Sequence, residues 1–361
     1  MPDRLRGREP GTVTVLIADD SVFMRHMLRR ALGRHPRIEV IAEARDGSEA
    51  FQKNREVKPD VIVLDVEMPR MDGLSALKAI MADRPVPVVM FSSLTHTGAR
   101  ITLEALSLGA VDFLPKPKSG FELDRAAEEL CQKVLASASA RPRVRTDRGD
   151  VGADGAGGSR PEPRHRDSRE ADWLVVIGSS TGGPQALDDL IPDLPGDLRS
   201  GVIVCQHMPA GFTSSMARRL DAESALTVRE AAAGEVVVTG EVLVAPGGYH
   251  LRVLPDGSGP AAKVAKDEGP LVHGVRPAVD VTLMDAAPIF GDKLMVVILS
   301  GMGTDGAKGA KVAKDHGAKV IVQDENTSVV WGMPRACYEL GICDKVLPLG
   351  QIAEEIAHFP V

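Results

Sequence analysis

Over roughly the first 130 residues, short apolar runs alternate with amphipathic stretches. The runs are Val13–Ala18, Ile38–Ala42, Val61–Leu64, Val86–Phe91 and Val111–Leu114, and helical patterns such as Val22–Leu32 and Gly98–Ser107 follow them. Apolar runs of this length, separated by amphipathic segments, predict parallel strands covered by helices, here five strand–helix units in a small open sheet. The same alternation returns in Trp173–Ile177, Val202–Cys205, Leu294–Leu299 and Lys319–Val322, interrupted by β-rich stretches at Val236–Val244 and Leu251–Leu254 that predict a β-hairpin insertion. Between about Arg141 and Glu170 large apolar residues almost vanish. There eight arginines from Arg141 to Arg169 interleave with Asp147, Asp150, Asp154, Glu162, Asp167 and Glu170, so neither sign dominates and a solvated tether is expected. The pattern therefore predicts folding units at 13–132 and 171–361 joined by a flexible linker over 133–170.

The chain's 361 residues suit two domains. Apolar residues at 43% and charged residues at 26% place it among soluble globular proteins. A net charge of -7 opposes nucleic acid as a partner, since binding to phosphates needs a basic footprint. The longest apolar runs, such as Leu294–Leu299, are about a third of a bilayer crossing, and residues 1–12 lack a signal-peptide core. A cytoplasmic protein with no membrane insertion is expected. The four cysteines, Cys131, Cys205, Cys337 and Cys343, show no metal-ligand spacing and read as reduced thiols, Cys205 as a buried small hydrophobe.

Open α/β sheets bind ligands at the carboxyl ends of their strands. In the first unit Asp19 and Asp20 end the first strand and Asp65 the third. Three converging carboxylates repel one another unless a hard cation sits among them, and an all-oxygen set suits magnesium. Ser92 and Lys116 end the next two strands, a hydroxyl and a cation able to receive an anionic group carried by one of those acids. Any one acid alone would read as a helix N-cap; the five together point to a phosphoacceptor site. With Asp19-Asp20-Ser21, Leu64-Asp65-Val66-Glu67-Met68-Pro69, Met71-Asp72-Gly73-Leu74, Phe91-Ser92-Ser93 and Lys116-Pro117, residues 13–130 resemble the receiver domain of two-component response regulators. The resemblance implies a flavodoxin-like (βα)5 fold and phosphorylation of Asp65. It also implies magnesium held by Asp19, Asp20, Asp65 and the Glu67 backbone, phosphoryl sensing by Ser92 and Lys116, and a cis bond at Lys116–Pro117.

In the second unit Gly178-Ser179-Ser180-Thr181-Gly182-Gly183 lies between a strand and a helical pattern at Pro184–Leu190. Such a segment can cradle phosphate or, as G-x-S-x-G, lift a serine hydroxyl above the sheet. Neither the dinucleotide spacing nor a Walker lysine is present. A serine nucleophile needs a base and a carboxylate to orient it. His207 follows Val202–Cys205, and Asp305 follows Leu294–Leu299, where it could also cap a helix beginning near Ala307. The order Ser180, His207, Asp305 differs from that of α/β-hydrolases and implies another hydrolase fold.

Together with Ala245-Pro246-Gly247-Gly248 and Arg276-Pro277-Ala278-Val279-Asp280, these segments resemble the catalytic domain of the CheB family of chemotaxis protein-glutamate methylesterases, over about 171–358. Ser179 stands where that family often has alanine, leaving two adjacent serines; Ser180 matches the family nucleophile and is central in the pentapeptide. The resemblance implies a C-terminal α/β parallel-sheet methylesterase domain acting on methyl-accepting chemoreceptors, giving glutamate and methanol, with deamidation of glutamines besides. It implies a chemotaxis-type histidine kinase as phosphodonor, activation by phosphorylation, and no cofactor for the esterase chemistry. The backbone N–H groups of Thr181 and Met302 are the expected oxyanion donors. The competing reading is a phosphorylation-controlled protein that binds receptors without chemistry; the presence of Ser180, His207 and Asp305 together counts against it.

Overall fold

The computed structural model describes residues 11–93, 95–117, 120–140, 169–257 and 261–359. They form two compact units, one on each side of segment 141–168. The first unit runs β1 (Val13–Ala18), α1 (Val22–Leu32), β2 (Ile38–Ala44), α2 (Gly47–Val57), β3 (Val61–Asp65), α3 (Gly73–Asp83), β4 (Val88–Ser92), α4 (His96–Ser107), β5 (Asp112–Pro115) and α5 (Gly120–Ser137). Its sheet is parallel throughout, in the order β2-β1-β3-β4-β5. Because helices cover both faces, β1, β3 and β4 are buried along their whole length and their sequences read as unbroken apolar runs. Ser21, Asp46, Asp72 and Thr95 each begin a helix by accepting the N–H three residues on, so the loops after the strands close quickly. The chain goes from β1 outward to β2 and then back to β3 on the other side. That reversal opens a crevice at the carboxyl ends of β1 and β3.

The second unit runs β6 (Leu174–Ser179), α6 (Gly183–Leu190), β7 (Gly201–Gln206), α7 (Phe212–Glu223), β8 (Thr227–Glu230), β9 (Glu241–Val244), β10 (His250–Pro255), β11 (Ala262–Asp267), α8 (Val279–Phe290), β12 (Leu294–Ile298), α9 (Ala307–Asp315), β13 (Lys319–Gln323), α10 (Met333–Glu339), β14 (Lys345–Leu347) and α11 (Leu349–Ala357). Its main sheet is again parallel, in the order β14-β13-β12-β6-β7-β9-β8, while β10 and β11 pair as a separate antiparallel hairpin. β6 lies between β7 and β12, so the loops after these three strands open onto one crevice. Each unit has its own apolar core: Val15, Ile17, Val63, Phe91 and Leu114 in the first, Val176, Ile203, Leu283, Val296 and Val320 in the second.

The structure shifts some expected boundaries. Of Val236–Val244 only Glu241–Val244 is a strand, and it joins the main sheet; the hairpin comes from β10 and β11. α5 continues to Ser137, so residues 133–137 of the expected linker are helical, and residues 141–168 of it lie outside the described residues. Among the described residues no helix is long and apolar enough to cross a membrane. The four cysteines are free thiols, three of them buried. Burial pushes the Cys205 and Cys337 thiols up to about 12 and that of half-buried Cys343 to about 11.

Candidate active site and acidic pocket

In the first unit Asp65 is the last residue of β3 and Asp19 the first beyond β1, and both are buried beside exposed Asp20. Carboxylate oxygens of the three lie within 4.8 Å of one another. Lys116 brings its Nζ to 2.7 Å from Asp65 Oδ2 and 3.3 Å from Asp19 Oδ2. Burial raises the Asp65 carboxyl to about 6 against the pull of Lys116, with the Asp19 charge adding to the rise. Burial by itself would lower Lys116, but the two carboxylates outweigh it and hold the ammonium above its usual value. Asp19 Oδ1 accepts the Ser21 N–H at 2.8 Å, whereas buried Asp19 Oδ2 makes no hydrogen bond. A buried carboxylate oxygen without a hydrogen bond, beside two further carboxylates, suits a hard divalent cation that takes oxygen ligands.

The other predicted receiver residues fall around this cluster. The Glu67 N–H donates to Asp65 Oδ1 at 3.3 Å, which places that backbone at the pocket edge. The Lys116 N–H donates to the Ser92 carbonyl at 2.7 Å, joining the ends of β4 and β5. The Ser92 hydroxyl is buried against α4, where it accepts from Thr102 Oγ1 at 2.8 Å. Lys116–Pro117 is not cis; among the described residues the cis peptide bond is Arg276–Pro277.

In the second unit the chain leaves β6 at Ser179, turns through Gly182 at φ 76°, and enters α6 with Pro184 in its first turn. The left-handed turn is one that glycine adopts without cost, and a Cβ at Gly182 would meet Val329 Cβ at 2.5 Å. The two serines are separated by this geometry. Ser179 is fully buried and its hydroxyl donates to Gln206 Oε1 at 2.7 Å, while Ser180 is half-buried at the crevice, its N–H donating to the Ser300 carbonyl at 3.0 Å.

His207 follows β7, and its Nε2 lies 2.7 Å from Asp305 Oδ2. Asp305 is buried in the turn after β12 and also accepts the N–H groups of Val279 at 2.7 Å, Asp280 at 3.0 Å and Gly306 at 2.9 Å. Two of those donors begin α8, so the helix dipole favours the ionised carboxylate. Burial would raise this carboxyl, but His207 and the N–H groups of α8 prevail and hold it below its usual value. Asp305 thus caps α8 from a distance in sequence, whereas the helix at Ala307 has Gly306 as its N-cap and no side-chain cap.

Because Nε2 faces the carboxylate, Nδ1 is the imidazole nitrogen left to exchange a proton. Thr181 follows Ser180 in the chain, and Met302 follows Gly301, where a Cβ would fall 3.0 Å from Ser180 Cβ. The Thr181 carbonyl accepts from Ser300 Oγ at 2.8 Å, and the Gly301–Asp305 turn is pinned where the Gly332 and Met333 N–H groups donate to the Gly301 carbonyl at 3.0 and 2.8 Å.

Three groups escaped the reading of the sequence. His273 Nε2 lies 2.7 Å from Asp280 Oδ2 and 3.9 Å from Asp305 Oδ1, a second imidazole–carboxylate pair beside the first. His273, Asp280 and Asp305 lie close enough for a metal, but each Asp305 oxygen already takes two donors and Asp280 Oδ1 takes the Gly309 N–H at 2.7 Å. The cluster therefore reads as a hydrogen-bonded frame. Gln206 and Gln323, at the ends of β7 and β13, are the other two, each buried with its amide directed at a loop beside Ser180.

Residues 175–356 match the family model described as CheB methylesterase, and residues 15–128 the one described as response regulator receiver domain. The protein-glutamate methylesterase/protein-glutamine glutaminase of Symbiobacterium thermophilum is 49% identical over 353 residues, covering 95% of this chain and 96% of that protein. The protein of the same description from Pyrococcus abyssi is 42% identical over 98% of this chain and 94% of its own. Among solved structures, the crystal structure of the Thermotoga maritima CheB methylesterase catalytic domain is similar with a TM-score of 0.50 and 48% identity, covering 51% of this chain and 97% of that one.

Proposed function

The chain belongs to the CheB methylesterase family, hydrolases here joined to a receiver domain, and on that premise we propose how its residues divide the work. Ser180 is the nucleophile, His207 the general base and acid, and Asp305 the group that orients and charges the imidazole. The observation that carries this reading is the 2.7 Å contact between His207 Nε2 and an Asp305 carboxylate held by three backbone N–H groups. A carboxylate kept ionised at that nitrogen stabilises the imidazolium that forms when Nδ1 takes a proton.

The chemistry then follows in two halves. Ser180 Oγ attacks the γ-carbonyl carbon of a glutamyl methyl ester while its proton passes to His207 Nδ1, and the tetrahedral oxyanion is met by the N–H groups of Thr181 and Met302. The imidazolium returns the proton to the departing methoxide, giving methanol and an acyl-serine. Water, deprotonated by the same nitrogen, attacks the acyl carbon; glutamate leaves and Ser180 recovers its proton. With a glutamine side chain the same steps release ammonia. The substrates are the methyl-accepting cytoplasmic segments of chemoreceptors.

In the first unit Asp65 accepts a phosphoryl group from a chemotaxis-type histidine kinase. Magnesium would be held by Asp19, Asp20, Asp65 and the Glu67 backbone, where it would offset the carboxylates' charge and that of the incoming phosphoryl group. Lys116 and Ser92 respond to the phosphorylated state. Phosphorylation raises turnover at Ser180 by favouring the arrangement open to substrate, each ~1.4 kcal/mol of preference shifting the populations tenfold.

Methanol release from methylated receptor membranes tests both halves. Release by the wild type is expected to rise with magnesium and a small phosphodonor, to vanish in Ser180→Ala, and to stay unresponsive in Asp65→Asn. Receptor capture that responds to the phosphodonor without any methanol release would replace catalysis by binding.

A further inference from the structure

Gln206 occupies the last position of β7, 2% exposed, opposite Ser179 in the register of the sheet. The final backbone hydrogen bond between β6 and β7 runs from the His207 N–H to the Ser179 carbonyl at 3.0 Å. One residue further on, Ser180 has turned away and donates its N–H to Ser300 on the opposite side, so that ladder ends before residue 180. The Gln206 side chain continues it. Its Nε2 donates to the Ser180 carbonyl at 3.0 Å and to the His207 carbonyl at 3.0 Å, while Oε1 accepts the Ser179 hydroxyl at 2.7 Å. Two carbonyl acceptors on one side of the amide fix which end is nitrogen. Space for the group is reserved, because a Cβ on Gly183 would fall 2.0 Å from Gln206 Oε1.

We propose that Gln206 is a positioning residue of the esterase, setting the separation of nucleophile and base by tying the backbone of residue 180 to that of residue 207. The inference rests on the assignment of Ser180 and His207 above. A displacement of the order of 1 Å between reacting groups can cost ~10²-fold in rate, so loss of this tie should appear in turnover and not in substrate affinity.

The test uses the full chain with magnesium and phosphodonor, in Gln206→Glu and Gln206→Met. Kinetics of methanol release are followed alongside the rate at which a fluorophosphonate labels Ser180. An ionised carboxyl offers no donor to the two carbonyls, whereas a protonated one offers a single O–H. At pH 8 both variants are expected to lose ~10–100-fold in kcat with KM within about twofold, and labelling is expected to slow in proportion. Between pH 8 and pH 6 the kcat of Gln206→Glu relative to wild type is expected to climb about tenfold as the introduced carboxyl takes up a proton. That comparison needs only Gln206→Glu and the wild type, so it stands even if Gln206→Met does not fold. Labelling at the wild-type rate, a loss confined to KM, or a pH-independent ratio would each overturn the proposal. A wild type that the reagent does not label at Ser180 would instead overturn the nucleophile assignment and this inference with it.

Discussion

Ionising Asp65 puts a charge where burial opposes it and Lys116 supports it, and the opposition prevails, leaving its carboxyl at about 6 against an ordinary 3.8. A folded-state value raised above the unfolded one means stability that is fully present below about pH 4 and lost as the pH climbs through 6. Asp65→Asn is therefore expected to stabilise the magnesium-free protein by ~1–3 kcal/mol above pH 6 and not at all near pH 3.5, as read by denaturant titrations across that range. Asp305 has the opposite sign: its lowered carboxyl contributes stability above its unfolded value that disappears as the pH falls below it. Asp305→Asn removes the charge behind His207 and should reduce kcat by about 10⁴-fold, with circular dichroism unchanged. The positions proposed for Ser180, His207, Asp305, Asp19, Asp65 and Lys116 could be picked out of the sequence because each stands at a strand end or in the loop that follows one, where chemistry in this class of fold collects. Gln206 and the His273–Asp280 pair could not. A buried amide looks like any polar residue until the register shows which carbonyls it faces, and His273 gains a partner only through the turn that leads into α8.

Strands buried on both faces announce themselves as apolar runs, so β1, β3, β6 and β12 could be read almost to the residue. β8 could not. It is a four-residue edge strand, Thr227–Glu230, whose Arg229 pairs with Glu241 of β9 and with Glu235, so polar contacts hold it and no apolar run marks it. The hairpin lies outside Val236–Val244 for a related reason, since that stretch is apolar enough to suggest a strand throughout while only its end pairs with β7. At the turn between β6 and α6 the backbone demands what a side chain cannot supply. Gly182→Ala would bring a Cβ to 2.5 Å from Val329 Cβ and 2.8 Å from Ser300 Oγ in a left-handed conformation. The expected loss is ~2–4 kcal/mol from strain and overpacking, measured by chemical denaturation, together with slower fluorophosphonate labelling because Ser180 sits two residues away.

At the scale of the whole chain, division into two units was visible as a break in composition, and the separate apolar cores agree with it. A fragment beginning at Arg169 contains the second core, all the esterase residues and none of the receiver, so it is expected to fold and to release methanol with no response to a phosphodonor. Loss of folding in that fragment, seen by calorimetry, would show that the second core does not suffice alone. The cysteines bear on how such a response could be watched. Cys131, Cys205 and Cys337 are buried, and burial pushes the half-buried Cys343 thiol up to about 11. Since maleimides attack the thiolate, the native thiols are expected to label slowly at neutral pH. One surface cysteine introduced into each unit would thus take up dye ahead of the four native ones, and the distance between the dyes could be followed during phosphorylation without first engineering those four away.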